Sequence, residues 1–267
     1  MTPPTRATSR TSRSRPILLA WGLGAAGVLT QMVFPFTDGG SRTLTILSVL
    51  WLAAAALVHV TTTRGARSAT GLLVVAGGGG LLAEAVGVHT GFPFGTYDYA
   101  GTLGPEVVGV PAVVPLAWLM MAYPALLGAR LLAGRRRLLV PVVAAWTLTA
   151  WDVFLDPQMV DAGHWSWADP TPSLPGVEDV PVTNFAGWLV VTLVMCAALD
   201  RVVARRPGRG SDRDALPLTV LLWTYASSVL ANAAFFGRPP VAVVGGLLMG
   251  TVAIPLAALL LRRRSHP

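Results

Sequence analysis

ATGLLVVAGGGGLLAEAVGV, residues 69–88, is twenty residues long and carries one charged side chain, Glu84. About 20 apolar residues, rising 1.5 Å each, are what a helix needs to cross the hydrocarbon core of a bilayer. Runs of the same kind recur near 17–36, 43–62, 111–132, 138–155, 184–203, 215–236 and 241–261. The fold class read from them is all-α, a polytopic membrane helix bundle. It has about eight transmembrane helices, or seven if 138–155 stops short of a full crossing. The composition agrees: 53% of the 267 residues are hydrophobic and only 12% are charged, with a mean hydropathy of +0.60. A soluble domain carries roughly twice that charge.

The basic residues orient the bundle. All 20 are arginine. With the amino terminus cytoplasmic, eighteen fall on cytoplasmic segments, and only Arg42 and Arg238 fall outside. So strong a positive-inside bias also favours an even number of spans. The high pI therefore reads as topology, and nucleic acid is excluded as a partner. Residues 1–16 read as a disordered basic cytoplasmic arm and 17–261 as one transmembrane domain. Residues 262–267 read as a basic cytoplasmic tail. No small-residue cleavage site follows the first apolar run, so 17–36 is expected to be a retained span. The two longest loops, near 89–110 and 156–183, are both external and rich in Phe, Tyr and Trp. Function is expected at that outer boundary.

Absences narrow the chemistry. Without lysine there is no P-loop lysine and no Schiff base. One cysteine excludes a disulfide framework and cysteine-based metal sites. His89 and His164 are too isolated to make a metal centre, and no cofactor motif is present. Carboxylates, hydroxyls, amides and aromatics remain.

Glu84 is the sharpest candidate. A carboxyl within hydrocarbon costs several kcal/mol and therefore faces a bundle interior, usually at a functional site. The neighbouring Gly77–Gly80 run reads as a close-packing surface between helices. Asp152 and Asp156, four residues apart, share a helix face and are expected to act as a coupled pair. Pro157 is compatible with a helix ending at Asp156. The outer loop Thr90-Gly91-Phe92-Pro93-Phe94-Gly95-Thr96-Tyr97-Asp98-Tyr99 holds four aromatics and an acid. It suits an interfacial belt, an apolar ligand or a developing carbocation. Asn184 and Asn232 are polar groups at or within spans and need partners there.

The ordered strings Glu84-x-x-Gly87-x-x-Thr90-Gly91-x-Pro93-Phe94-Gly95-x-Tyr97-x-Tyr99, Val110-Pro111, Pro115-x-x-Trp118 and Trp151-Asp152-x-x-Leu155-Asp156-Pro157-x-Met159 resemble the carotenoid 1,2-hydratase family of membrane proteins. So do Gly163-x-Trp165-x-Trp167, Asn184-Phe185-x-Gly187-Trp188 and Asn232-Ala-x-Phe235-Phe236-Gly237-x-Pro239. They run from Glu84 to Pro239, more than half the chain. The resemblance implies a multi-pass protein of the cell membrane that adds water to the terminal double bond of an acyclic carotenoid end group. It also implies a lipid-soluble carotenoid substrate, no cofactor, and association with other enzymes of the pathway.

The family supplies no assigned catalytic residues, so roles come from chemistry. Protonation of the alkene gives a tertiary carbocation, which water captures. Either Glu84 or the Asp152/Asp156 pair fits as the acid, the other accepting a proton from the incoming water; the favoured arrangement has Glu84 as the acid, with Asp152 and Asp156 positioning water. The expected substrate-binding set is Phe92, Phe94, Tyr97, Asp98, Tyr99, Trp118, Trp151, Trp165, Asn184, Phe185, Trp188 and Asn232. Two alternatives remain at this point. A carotenoid end-group cyclase or isomerase would start from the same protonation, and an isoprenoid-lipid transporter would need no reaction.

Overall fold

The computed structural model describes residues 11–37, 41–205 and 213–265. Within them, eight helical spans are long and apolar enough to cross a membrane. They are α1 (Thr11–Val33, continued by a 3-10 turn, Phe34–Phe36), α2 (Arg42–Arg64), a composite third span, α5 (Val114–Ala133), α6 (Leu139–Asp161), α7 (Val182–Val202), α8 (Ala215–Ala234) and α9 (Pro239–Ser265). The 138–155 run thus belongs to a full-length helix of 23 residues. α1 begins at Thr11, inside the stretch expected as an arm, and α9 carries the arginines after residue 261 into its last turn. Residues 1–10 of the arm and 266–267 of the tail lie outside the described residues.

α5 and α6 are central, with 67% of each span buried against 22% for α1. On the outer helices, large apolar side chains such as Leu18, Leu29, Val194, Leu247 and Ile254 point outward and are exposed. This is the pattern of helices that satisfy their own backbone and present hydrocarbon to lipid.

The third span is built from α3 (Ala66–Leu72), a π-helical turn (Leu73–Gly78) and α4 (Gly79–Thr90). π turns are rare and concentrate near functional sites. On α4, Gly80 and Gly87 lie four residues before and three after Glu84, so all three share a face. A Cβ on Gly80 would sit 2.7 Å from the Trp118 ring, and one on Gly87 would sit 2.7 Å from Phe94 and 2.9 Å from the Tyr97 hydroxyl. Within the four-glycine run only Gly80 is so tightly approached, and Gly78 faces open space.

α6 does not end at Asp156. It continues through Pro157 to Asp161 and closes with the Ala162 N–H donating to the Gln158 carbonyl at 3.1 Å. A proline deletes one i→i−4 bond, but the tight burial of Pro157 between neighbours holds the turn. Asp152 and Asp156 therefore lie together on one face of a continuous helix.

The two long loops join. β1 (Tyr97–Tyr99) pairs antiparallel with β4 (Trp165–Trp167), setting Tyr97 opposite Trp167 and Tyr99 opposite Trp165. Short ladders of β2 (Glu106–Val107) with β3 (Val110–Pro111) and of β5 (Ser173–Leu174) with β6 (Val177–Pro181) complete a cap over one end of the bundle. At the other end Arg64, 5% exposed, forms a bidentate pair with Asp214 at 2.7 and 2.8 Å and also donates to the Tyr123 hydroxyl at 2.8 Å. The pair ties the end of α2 to the start of α8.

Gly87→Ala is expected to cost about 1–3 kcal/mol by overpacking, read as a lower unfolding midpoint in lipid nanodiscs. Gly78→Ala should leave that midpoint unchanged or slightly raised, and equal losses would remove the packing argument. Asp214→Asn, which strands Arg64, is expected to cost about 3 kcal/mol or more, and the double variant with Arg64→Met less than that. A double variant that loses as much as Asp214→Asn would contradict this.

Candidate active site

Glu84 is buried, yet both of its carboxylate oxygens are fully engaged. Tyr97 donates to Oε2 at 2.5 Å, Tyr99 donates to Oε2 at 2.9 Å, and the Trp118 indole N–H donates to Oε1 at 2.9 Å. An indole N–H has no other role than donor. Burial first, and the adjacent Glu84 carboxylate second, push both phenols above their ordinary range, so they keep their protons to donate. Three donors converging on two oxygens is the arrangement that stabilises an ionised carboxylate. The helix face and the strand period together produce it. Gly80 admits Trp118, Gly87 admits Tyr97, and alternation along β1 aims Tyr97 and Tyr99 inward while Asp98 points out.

The α6 carboxyls are served differently. Asn184, at the start of α7, donates its side-chain amide to Asp156 Oδ2 at 2.5 Å and to Asp152 Oδ2 at 3.0 Å. Asp152 is completely buried, and its Oδ1 has no hydrogen-bond partner among the described residues. One amide thus serves two carboxyls where Glu84 alone has three donors.

Glu84 and Asp156 both line a cavity of about 80 Å3. Its walls include Phe94, Tyr97, Tyr99, Trp118, Trp151, Trp165, Asn184 and Trp188 from the expected set. Trp118 and Trp188 stack at 4.2 Å and 9°, and Trp151 meets Trp188 edge-on at 6.3 Å. The β1–β4 ladder closes the top, fastened by the Trp167 indole N–H donating to the Phe94 carbonyl at 3.0 Å.

Four expected binding residues lie elsewhere. Phe92 is 73% exposed on the outside of the turn. Asp98 is exposed because the strand's period of two turns it away from its tyrosine neighbours. Phe185 is buried but does not reach the cavity wall. Asn232 lies near the end of α8, its side-chain amide donating to the Ser228 carbonyl at 2.9 Å and its backbone carbonyl accepting from the Arg238 N–H at 3.0 Å, while its buried Oδ1 has no partner among the described residues. Asp152 stands behind Asp156, joined to the cavity through Asn184. His89 contacts its own helix at Ala85 O (3.0 Å), and His164 contacts Thr102 (2.7 Å).

Residues outside the expected set also form the wall, chiefly Trp167, Met120, Leu155, Met159 and Val49. Leu155 and Met159 lie three and seven residues beyond Asp152, so the helical stripe 152, 155, 156, 159 was a legible signal. Trp167 carried one too, as the alternate partner of Trp165 in a strand. Val49 and Met120 come from distant spans and had none.

The carotenoid biosynthesis protein family matches the chain over residues 41–254. Over 178 residues the chain is 34% identical to the bisanhydrobacterioruberin hydratase of Haloarcula japonica, covering 63% of this chain and 58% of that protein. The chain thus matches less than two thirds of that relative's length. No solved structure matches it. The family match runs from the start of α2 into α9 and takes in every side chain that lines the cavity. The chain belongs to the carotenoid biosynthesis protein family.

Proposed function

We propose that this protein is an enzyme of carotenoid biosynthesis, a multi-pass protein of the cell membrane with its amino terminus cytoplasmic. In this reading it hydrates the terminal double bond of an acyclic carotenoid end group. The observation that carries the reading is the pairing, in one aromatic cavity, of a carboxylate satisfied by three donors with a carboxyl pair short of them. The name of the Haloarcula relative supports the same reaction class.

Of the two assignments of the acid that the sequence admits, the hydrogen bonds favour the one with the Asp152–Asp156 pair as the acid. In this reading Glu84 is the fixed anion, and Asp152 with Asp156 holds one proton, because two adjacent buried carboxylates that share the Asn184 amide repel each other. Asp156, which faces the cavity, gives its proton to the less substituted alkene carbon. The positive charge forms on the tertiary carbon, beside the stacked Trp118–Trp188 pair and the Trp151 ring that line the cavity with Glu84. The three hydrogen bonds that hold Glu84 engage three of its about four lone-pair sites, which weakens it as a nucleophile toward the cation. Water donates its lone pair to that cation, and the resulting oxonium returns a proton to the Asp152–Asp156 pair. One water is added and the acid is restored.

Expression in a bacterium that accumulates lycopene should give a pigment heavier by one water. Asp156→Asn should lower its yield about 10²–10⁴-fold, the usual contribution of a general acid. Glu84→Gln should lower it about 10²–10³-fold, the cost of losing one electrostatic stabiliser. An isomer of unchanged mass would assign cyclisation instead. Full activity in either variant would remove that residue's role, and unchanged lycopene, together with unchanged fifty-carbon and monocyclic carotenes, would contradict the reading.

A further inference from the structure

The cavity at Glu84 and Asp156 has about 80 Å3. With one water taking roughly 10–15 Å3 on this scale, there is room for a branched end group and water but not for a polyene. The cap closes it above. To the side, between the 3-10 turn after α1, α2, α6 and α8, lies a second cavity of about 400 Å3. The two share six wall residues, Thr45, Val49, Met120, Trp151, Leu155 and Met159, and so adjoin.

Several polar side chains of the larger cavity's wall are hydrogen-bonded to protein partners. The Trp223 indole N–H donates to Gln31 Oε1 at 2.8 Å, and the Thr224 hydroxyl donates to the Val220 carbonyl at 2.9 Å. Ser227 donates back to the Thr224 carbonyl at 3.4 Å. What remains facing inward is largely ring and hydrocarbon. Two edge-to-face pairs bridge the 3-10 turn to the end of α8, Phe34 with Phe236 at 5.9 Å and Phe36 with Phe235 at 5.6 Å. Phe36, Met32 and Leu230 at this rim are 75, 50 and 59% exposed, on spans whose outer faces are apolar. The opening therefore lies between α1 and α8, on the side of the bundle.

We propose that the larger cavity is the bed of the polyene. The carotenoid enters sideways from the bilayer between α1 and α8, and its chain lies along the aromatic wall. Its end group passes the neck at Val49, Met120 and Leu155 to reach Asp156. The inference rests on the hydration reading only for what happens at that end; the bed itself is a binding site for a long, thin apolar chain. Ala231, Ser227 and Trp223 become determinants of chain length, remote from the reacting atoms.

The test fills the bed without touching the small cavity. Ala231→Trp and Ser227→Trp, with Ala233→Trp, exposed on the same helix and lining neither cavity, as control, are expressed in lycopene-accumulating cells and purified. Pigment co-purifying with each protein is measured, and then hydration of lycopene and of geraniol, a short isoprenoid with the same terminal alkene. The Ala231→Trp and Ser227→Trp variants should lose co-purifying lycopene and its hydration by about tenfold, the scale of an overpacking cost, with their geraniol turnover and the Ala233→Trp control unchanged. Wild-type lycopene retention in both variants, or equal loss of lycopene and geraniol in both, would overturn the proposal. If the wild type binds pigment that the variants lose, yet no protein hydrates either substrate, the bed stands and the hydration reading fails.

Discussion

A carboxylate inside an apolar span must be solvated by the protein, and at Glu84 this falls to three side chains, from β1 (Tyr97 and Tyr99) and α5 (Trp118). Leaving the charge unsatisfied would cost several kcal/mol. Much of the surrounding architecture follows. α4 must be bare on that face for Trp118 and Tyr97 to approach, and glycine at positions 80 and 87 makes it so. The outer loops must fold into an ordered cap for two phenols to reach down into the bundle, and the β1–β4 ladder provides the order. The same side chains that solvate Glu84 then form the walls of the cavity, so solvating the charge and shaping the site are a single arrangement.

Much of this was legible in the sequence. Helical spans read directly from length and hydropathy, because lipid demands about 20 apolar residues whatever the tertiary context. Glu84, Asp152 and Asp156 stood out because charge in such spans is costly. What escaped was direction. A three-residue strand has too few positions to display its period, so Asp98 was grouped with Tyr97 and Tyr99 although alternation sends it to solvent. Pro157 was compatible with a helix end by local rule, but tertiary packing carried α6 one turn further. Asn232 looked like a site residue because it is polar within a span, and its work is local to the end of α8.

The assignment of the acid shows the same limit. Sequence admits either Glu84 or the Asp152–Asp156 pair as the acid and ranks Glu84 first, because burial in an apolar span favours the neutral form. Its three donors come from segments 13 to 34 residues away, and no local pattern announces them. With them in place Glu84 is the best-served carboxyl of the three, and the proposed mechanism therefore puts the proton on Asp152 and Asp156. The proposed hydration uses both kinds of carboxyl, one to give a proton and one to sit opposite the charge that results.

Infrared difference spectroscopy of the carboxyl C=O stretch, on protein reconstituted in lipid and exchanged into heavy water, tests this division most directly. A protonated-carboxyl band should be present in the wild type and in Glu84→Gln, and absent or shifted in Asp152→Asn and Asp156→Asn. A band that survives in both aspartate variants and disappears in Glu84→Gln would place the proton on Glu84 and contradict the arrangement described for this site.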